Sequence, residues 1–264
     1  MATIQLEDVT LAYKHFAPIE GLTVRIPHGQ FTALIGPSGC GKSTLLAGIA
    51  GQLKPRHGTI TLDAGTADVV DIYALPKGEL DKRLTLLPQT PTALPELTVR
   101  DLVERGRAPY RKWYQPWSQV DEQIVNDAMQ RAGVADLGGR TLQELSGGQH
   151  QRAWLAKILA QQTDAILVDE PTTFLSVPSQ TEVLALLESL KREQGRTIVA
   201  VLHDLNHALH FADYVIALHD GHIAMQGQAR DIIQPDYIRA VFGVEMRMDA
   251  DAVTGLPIIS KFAR

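Results

Sequence analysis

The octapeptide Gly36-Pro37-Ser38-Gly39-Cys40-Gly41-Lys42-Ser43 has the residue types and spacing of a loop that wraps phosphate. It follows the apolar run Phe31-Thr32-Ala33-Leu34-Ile35 and precedes Thr44-Leu45-Leu46-Ala47-Gly48-Ile49. Strand, glycine-rich loop and helix therefore succeed one another, which is the context such a loop requires. Glycines let backbone N–H groups turn inward around anionic oxygens. The unpaired donors at the start of the following helix add to them. Lys42 supplies a mobile positive charge for terminal phosphates, and the Ser43 hydroxyl is a hard oxygen ligand suited to Mg²⁺.

Five further features carry chemistry. Leu145-Ser146-Gly147-Gly148-Gln149 precedes a strong helical pattern, so two glycines and a capping serine would form a second anion site far along the chain. Ile166-Leu167-Val168-Asp169-Glu170 is an apolar strand ending in two carboxylates. Beside a phosphate loop, the first would hold Mg²⁺ through its water shell and the second would act on a water attacking the γ-phosphate. His203 follows the apolar run Ile198–Leu202 and is placed to hydrogen-bond a γ-phosphate. The alternative is a metal site from His203, His207 and His210 at i, i+4 and i+7. A helix starting only at Asp204 or Leu205 would defeat it, leaving His207 and His210 on a solvated face. Gln89 ends another strand, and its amide oxygen could reach Mg²⁺ or the attacking water. Tyr13, upstream of the loop, either stacks on a base or packs in the core.

These residues need strands and helices to position them. Strand-like runs fall at Ile4–Leu11, Leu22–Ile26, Phe31–Ile35, Thr59–Leu62, Leu84–Leu87, Ala165–Val168, Ile198–Leu202, Tyr214–Leu218 and His222–Gln226. Helical periodicity is clearest at Val120–Ala132, Gln149–Gln161, Glu182–Glu193 and Leu205–Ala212. Pro178 and Ser179 mark a helix start and Gly195 a helix end. The alternation predicts an α/β fold with a mostly parallel core sheet. Residues 98–162 lack strong strands and read as a helical lobe inserted into that core. Residues 245–264 have weak periodicity and no assigned role.

Bulk properties set limits. The chain has 264 residues and is 45% hydrophobic, enough for a sizeable core. Its net charge of −5 gives no electrostatic grip on nucleic acid, so no nucleic-acid partner is expected. The single cysteine, Cys40, rules out an internal disulfide and fits a reducing compartment. No basic and apolar leader is visible near Met1, and no apolar stretch reaches the length of a membrane span. The expectation is a cytosolic chain that reaches a membrane only by docking to another protein.

In their order along the chain, Tyr13, Gly36–Ser43, Gln89, Leu145–Gln149, Asp169-Glu170 and His203 resemble the motif set of an ATP-binding cassette ATPase, over about residues 2–245. The resemblance implies a P-loop nucleotide-hydrolase core with an N-terminal antiparallel β subdomain and an inserted helical subdomain. It divides the chain into a nucleotide-binding core (1–97 and 163–245), a helical signature lobe (98–162) and a tail (246–264). ATP and Mg²⁺ are the implied cofactors. The implied nucleotide-binding set is Tyr13, Gly36, Pro37, Ser38, Gly39, Cys40, Gly41, Lys42, Ser43 and Thr44. Ser43 and Gln89 would hold Mg²⁺, with Asp169 acting through water. Glu170, Gln89 and His203 would form the hydrolytic set. Ser146, Gly147, Gly148 and Gln149 would act in trans on ATP held by a second ATPase subunit, which explains two anion half-sites on one chain.

A finer resemblance lies in Glu170-Pro171-Thr172-Thr173-Phe174-Leu175, Val201-Leu202-His203-Asp204-Leu205-Asn206, Arg105-Gly106-Arg107-Ala108-Pro109 and Gln149–Ala156. These phrases look like the ATPase subunits of bacterial ferric-siderophore, haem and vitamin B12 importers. The implied partners are a second copy, an integral membrane permease and, indirectly, a periplasmic or lipoprotein substrate-binding protein. The implied location is the cytoplasmic face of the cell membrane. A soluble cassette ATPase without a permease, or a weakly hydrolysing regulatory ATP binder, is the alternative. One departure stands out. After Leu175, in the loop expected to cross the dimer interface, this family has Asp, whereas this chain has Ser176. Serine can cap the helix that follows but brings no charge, so either communication between sites is altered or another group compensates. The segment Pro109–Trp117, with Tyr110, Trp113, Tyr114 and Trp117, is either buried packing in the helical lobe or an exposed patch for a permease helix.

Overall fold

The computed structural model describes residues 3–14, 16–63, 65–92, 96–112, 114–252 and 257–263. In chain order the regular elements begin with β1 (Ile4–Tyr13), β2 (Phe16–Ile26), β3 (Phe31–Ile35), α1 (Lys42–Ile49), β4 (His57–Leu62) and β5 (Val70–Asp71). Next come α2 (Lys77–Arg83), β6 (Leu84–Leu87), α3 (Val99–Glu104), α4 (Gln119–Arg131), α5 (Gly147–Gln161), β7 (Ala165–Asp169) and α6 (Val177–Gln194). The chain ends with β8 (Thr197–Val201), α7 (Leu205–Phe211), β9 (Tyr214–His219), β10 (His222–Gln228), α8 (Ala229–Ile232), α9 (Pro235–Phe242), β11 (Glu245–Ala250) and β12 (Pro257–Ala263). They fall into two compact units, residues 1–74 with 197–264 and residues 75–196.

The first unit carries two sheets and a hairpin. In one sheet β2, β1, β4 and β5 run side by side with antiparallel pairing. Its strands bury one face: Ile4, Leu6, Val9 and Leu11 of β1 are inaccessible. In the other, β3 lies between β8 and β9, parallel to both, and β10 pairs antiparallel with β9 at the edge. All five residues of β3 and of β8 are buried. Continuous apolar runs are what a parallel strand covered on both faces needs. On β10, by contrast, exposed and half-buried residues alternate. The tail, which had no predicted structure, forms the antiparallel hairpin of β11 and β12.

A side chain of α7 bonds the hairpin backbone. Asn206 of α7 accepts from the Ile259 N–H at 2.7 Å and donates to the Ile259 carbonyl at 3.1 Å. Its amide thus satisfies both backbone groups of an edge residue, as a neighbouring strand would.

The second unit is mostly helical around the parallel pair β6–β7. Val99, Leu102, Val103, Val125, Met129, Trp154, Leu155, Ile158 and Leu159 form the apolar faces of α3, α4 and α5. Capping explains where these helices start: Thr98 with Asp101, Ser118, and Ser146 with Gln149 each bond a backbone donor in the first turn. Among buried groups is an ion pair absent from the sequence-derived site. Arg107 Nε donates to Asp121 at 2.9 Å and Arg107 Nη1 to the Ala160 carbonyl at 2.8 Å. Burial opposes ionisation of Asp121, but bonds from Ser118 and Arg107 outweigh it and hold the carboxyl below its usual range. Among the described residues, no helix is long and apolar enough to cross a membrane.

Candidate nucleotide site

In the first unit the phosphate loop leaves β3 and enters α1 directly. Gly36 has φ +146, and a Cβ there would lie 2.2 Å from the Leu218 carbonyl oxygen, so no side chain fits. Gly41 is the left-handed N-cap of α1 at φ 102, where no side chain competes for the first-turn N–H groups. The Lys42 ammonium donates to the Gly36 and Pro37 carbonyls at 2.9 and 2.8 Å and is 5% exposed. It is thus held inside the curl of its own loop. Ser38, Gly39 and Ser43 face solvent, while Thr44 is buried. Burial pushes the Cys40 thiol up against the pull of Lys42, so it is a neutral packing group at neutral pH.

Tyr13 and His203 also belong to this unit. Tyr13 ends β1, paired with Phe16, and is 50% exposed, which rules out the core role. His203 is exposed between β8 and α7. Asp204 caps α7, accepting from Asn206 and His207 N–H at 2.7 and 3.3 Å, so His203 lies outside the helix and the i, i+4, i+7 spacing is not realised. Among the described residues, no cluster of three or more His, Cys, Asp and Glu side chains is placed to hold a metal ion. His207 departs from expectation: it is half-buried, its Nδ1 buried with no hydrogen-bond partner among the described residues, and its ring edge-on to Phe211.

In the second unit β7 brings Asp169 to its end, buried, and Glu170 just past it. Glu170 has a left-handed φ of 50°, which turns the chain sharply off the strand. Gln89, 81 residues earlier and just beyond β6, donates its amide N–H to Glu170 Oε2 at 2.6 Å. The parallel pairing of β6 with β7 brings these strand ends together. Thr173, given no role of its own from the sequence, donates its hydroxyl to the same oxygen at 3.0 Å. Its only sequence signal is a hydroxyl three residues after a carboxylate.

The Ser146 motif forms the N-terminus of α5. The Ser146 hydroxyl accepts from the Gln149 N–H at 3.4 Å, and Gln149 Oε1 accepts from the Ser146 N–H at 3.0 Å. Gly147 and Gly148 occupy the first turn, with donors undisturbed by side chains. Ser176 takes the N-cap position of α6 but, among the described residues, makes no side-chain capping bond, contrary to expectation; α6 starts at Val177 with Pro178 in its first turn, where the helix entry was expected. Phe174 and Val177 on either side are 98% and 72% exposed.

The aromatic segment lies mostly at the surface rather than in the core. Tyr114 is 61% exposed and Trp117 half-buried, its indole donating to Glu122. Tyr110 donates to the Gln161 carbonyl at 2.9 Å beneath Arg107. Trp113 lies outside the described residues.

A phosphate loop, a strand ending in two carboxylates and a capped Ser-Gly-Gly-Gln helix define a nucleotide-binding ATPase. The chain belongs to the ABC transporter family, whose model matches residues 19–173. It is an ATP-binding member of that family. Over 264 residues it is 42% identical to the ferric enterobactin transport ATP-binding protein of Escherichia coli (strain K12), covering 100% of this chain and 96% of that one. Its structure matches that of a metal-chelate type ABC transporter in an inward-facing conformation with TM-score 0.83 and 25% identity, covering 100% of this chain and 97% of the other. A dimeric bacterial ABC transporter cassette matches with TM-score 0.76 and 30% identity, over 86% of this chain and 99% of that one.

Proposed function

We propose that this chain is the ATP-hydrolysing subunit of an importer for ferric siderophores or related metal chelates. The observation that carries the hydrolytic part is the hydrogen bond from Gln89 to Glu170 at 2.6 Å, which organises a carboxylate at a strand end. The likeness to a ferric enterobactin transport protein along the whole chain, and to a metal-chelate type transporter, supports the cargo class.

In this reading two copies pair head to tail, as the match to a dimeric cassette supports. Each ATP lies between Gly36–Thr44 of one copy and Ser146–Gln149 of the other. Tyr13 stacks on the adenine. Lys42 exchanges the carbonyls of Gly36 and Pro37 for β- and γ-phosphate oxygens. Ser146, Gly147 and Gly148 present a helix N-terminus to the γ-phosphate from across the dimer. Glu170 accepts the proton of the attacking water, and His203 bonds the γ-phosphate and reports its loss.

Ser43 and Gln89 carry hard oxygens of the kind Mg²⁺ takes, and with Asp169 acting through water they would hold it. Bound there, the ion would supply charge neutralisation for the phosphates.

Residues 98–162 act as a helical lobe on a core of 1–97 and 163–245, with 246–264 as a tail. Leu175 and Ser176 lie in the loop that meets the second copy. ATP binding closes the dimer, hydrolysis reopens it, and an integral membrane permease senses the change on the cytoplasmic face of the membrane. A substrate-binding protein delivers cargo on the other side.

Glu170→Gln with ATP should shift the protein from monomer to dimer in size-exclusion chromatography with light scattering; a variant that stays monomeric sinks the scheme. Extraction from native membranes should recover a polytopic permease. Recovery with soluble partners alone would select a cassette ATPase that works without one.

A further inference from the structure

We infer that Thr173 is a positioning residue for hydrolysis, holding the Glu170 carboxylate from within its own turn. The inference rests on the reading of Glu170 as the group that acts on the attacking water.

Three observations converge. The left-handed backbone of Glu170, at φ 50°, folds the chain back on itself as it leaves β7. The Thr173 N–H then donates to the Glu170 carbonyl at 3.3 Å, closing a turn. That turn sets the Thr173 hydroxyl 3.0 Å from Glu170 Oε2, as donor to the oxygen that also takes the Gln89 amide at 2.6 Å.

The two donors differ in how they are tethered. Gln89 is exposed and reaches Glu170 from a segment 81 positions away. Any movement of that segment withdraws its amide. Thr173 is half-buried and separated from Glu170 by two residues. Its β-branch restricts χ1 and so restricts where the hydroxyl can point. Thr173 therefore keeps one carboxylate oxygen in place through any excursion of Gln89. A carboxylate held in one orientation costs no reorganisation when the water is deprotonated. The hydroxyl touches neither ATP nor water in this scheme; it acts through Glu170.

The test compares Thr173→Val, which keeps the shape and removes the hydroxyl, with Thr173→Ser, which keeps the hydroxyl. Steady-state ATP hydrolysis is measured with the full chain and Mg-ATP, with Glu170→Gln alongside. Loss of one hydrogen bond to a charged group predicts about a tenfold fall in kcat for Thr173→Val, with KM for ATP unchanged. Thr173→Ser should stay within about twofold of the parent by the same reasoning. If Thr173→Val does not fold by circular dichroism, Thr173→Ala replaces it. An unchanged kcat in Thr173→Val beside an inactive Glu170→Gln overturns the role of Thr173 and leaves that of Glu170 standing. Equal losses in the Val and Ser variants, or a rise in KM with kcat intact, also overturn it. Full turnover in Glu170→Gln overturns the underlying reading of Glu170.

Discussion

The Ser176 hydroxyl pairs with the Ser179 hydroxyl at 3.2 Å instead of taking a backbone donor of α6. A Cβ on Gly148 would come within 2.7 Å of that Ser179 oxygen, so the glycine-rich start of α5 packs directly on the serine pair. The loop proposed to meet a second copy and the Ser146–Gln149 motif thus meet at Ser179. Ser176→Asp would place a carboxylate at an uncapped helix N-terminus. It should stabilise the protein by about 0.5–1 kcal/mol, read as a higher denaturant midpoint. On the reading that Ser176 weakens communication between sites, the same variant hydrolyses ATP faster and more cooperatively. Unchanged rate and cooperativity would remove that idea.

Lys42→Ala removes the only ammonium of the phosphate loop. Its two carbonyl contacts are internal to the loop, so folding should survive. ATP affinity should fall by about tenfold to a hundredfold, the worth of a charge-assisted bond. Calorimetric titration of ATP into both proteins measures this directly.

Arg107 anchors the second unit through Asp121, Ala160 and Gln162. Both members of the ion pair are buried. Arg107→Ala leaves Asp121 buried without its cation and should cost about 3 kcal/mol, measured by urea unfolding. The pH dependence follows from the depressed Asp121 carboxyl. Its folded value lies below its unfolded one, so its contribution is present at neutral pH and is lost as pH falls through the folded value. Asp121→Asn should therefore flatten the acid limb of stability.

Asn206→Ala removes both bonds from α7 to Ile259 and should expose the β11–β12 hairpin. The Ile259 amide should exchange with deuterium faster, and stability should drop by about 1–2 kcal/mol. Unaltered exchange at Ile259 would show that the hairpin is held by other contacts.

Much of the strand pattern was legible because buried parallel strands must be continuously apolar. β3 and β6 fall on the predicted bounds, and β7 and β8 within one residue of them. The short helices α2, α3, α8 and α9 were missed, since each is at most eight residues long and shows too few turns for a period. The tail hairpin was missed for a different reason: β11 has one buried residue among its six, so its strand character is fixed by pairing rather than by burial.

By itself the sequence determined the chemistry that resides in contiguous residues: the phosphate loop, the capped Ser-Gly-Gly-Gln helix start and the carboxylate pair at a strand end. Each is set by local backbone geometry and by residue types a few positions apart, so reading along the chain suffices. Only the tertiary structure decided that Gln89 and Thr173 share one oxygen of Glu170, that Arg107 pairs with Asp121, and that Asn206 holds Ile259. Long-range hydrogen bonds need distant segments brought together by strand pairing and helix packing. A single turn such as that at Glu170 needs a backbone angle that residue identity alone does not specify.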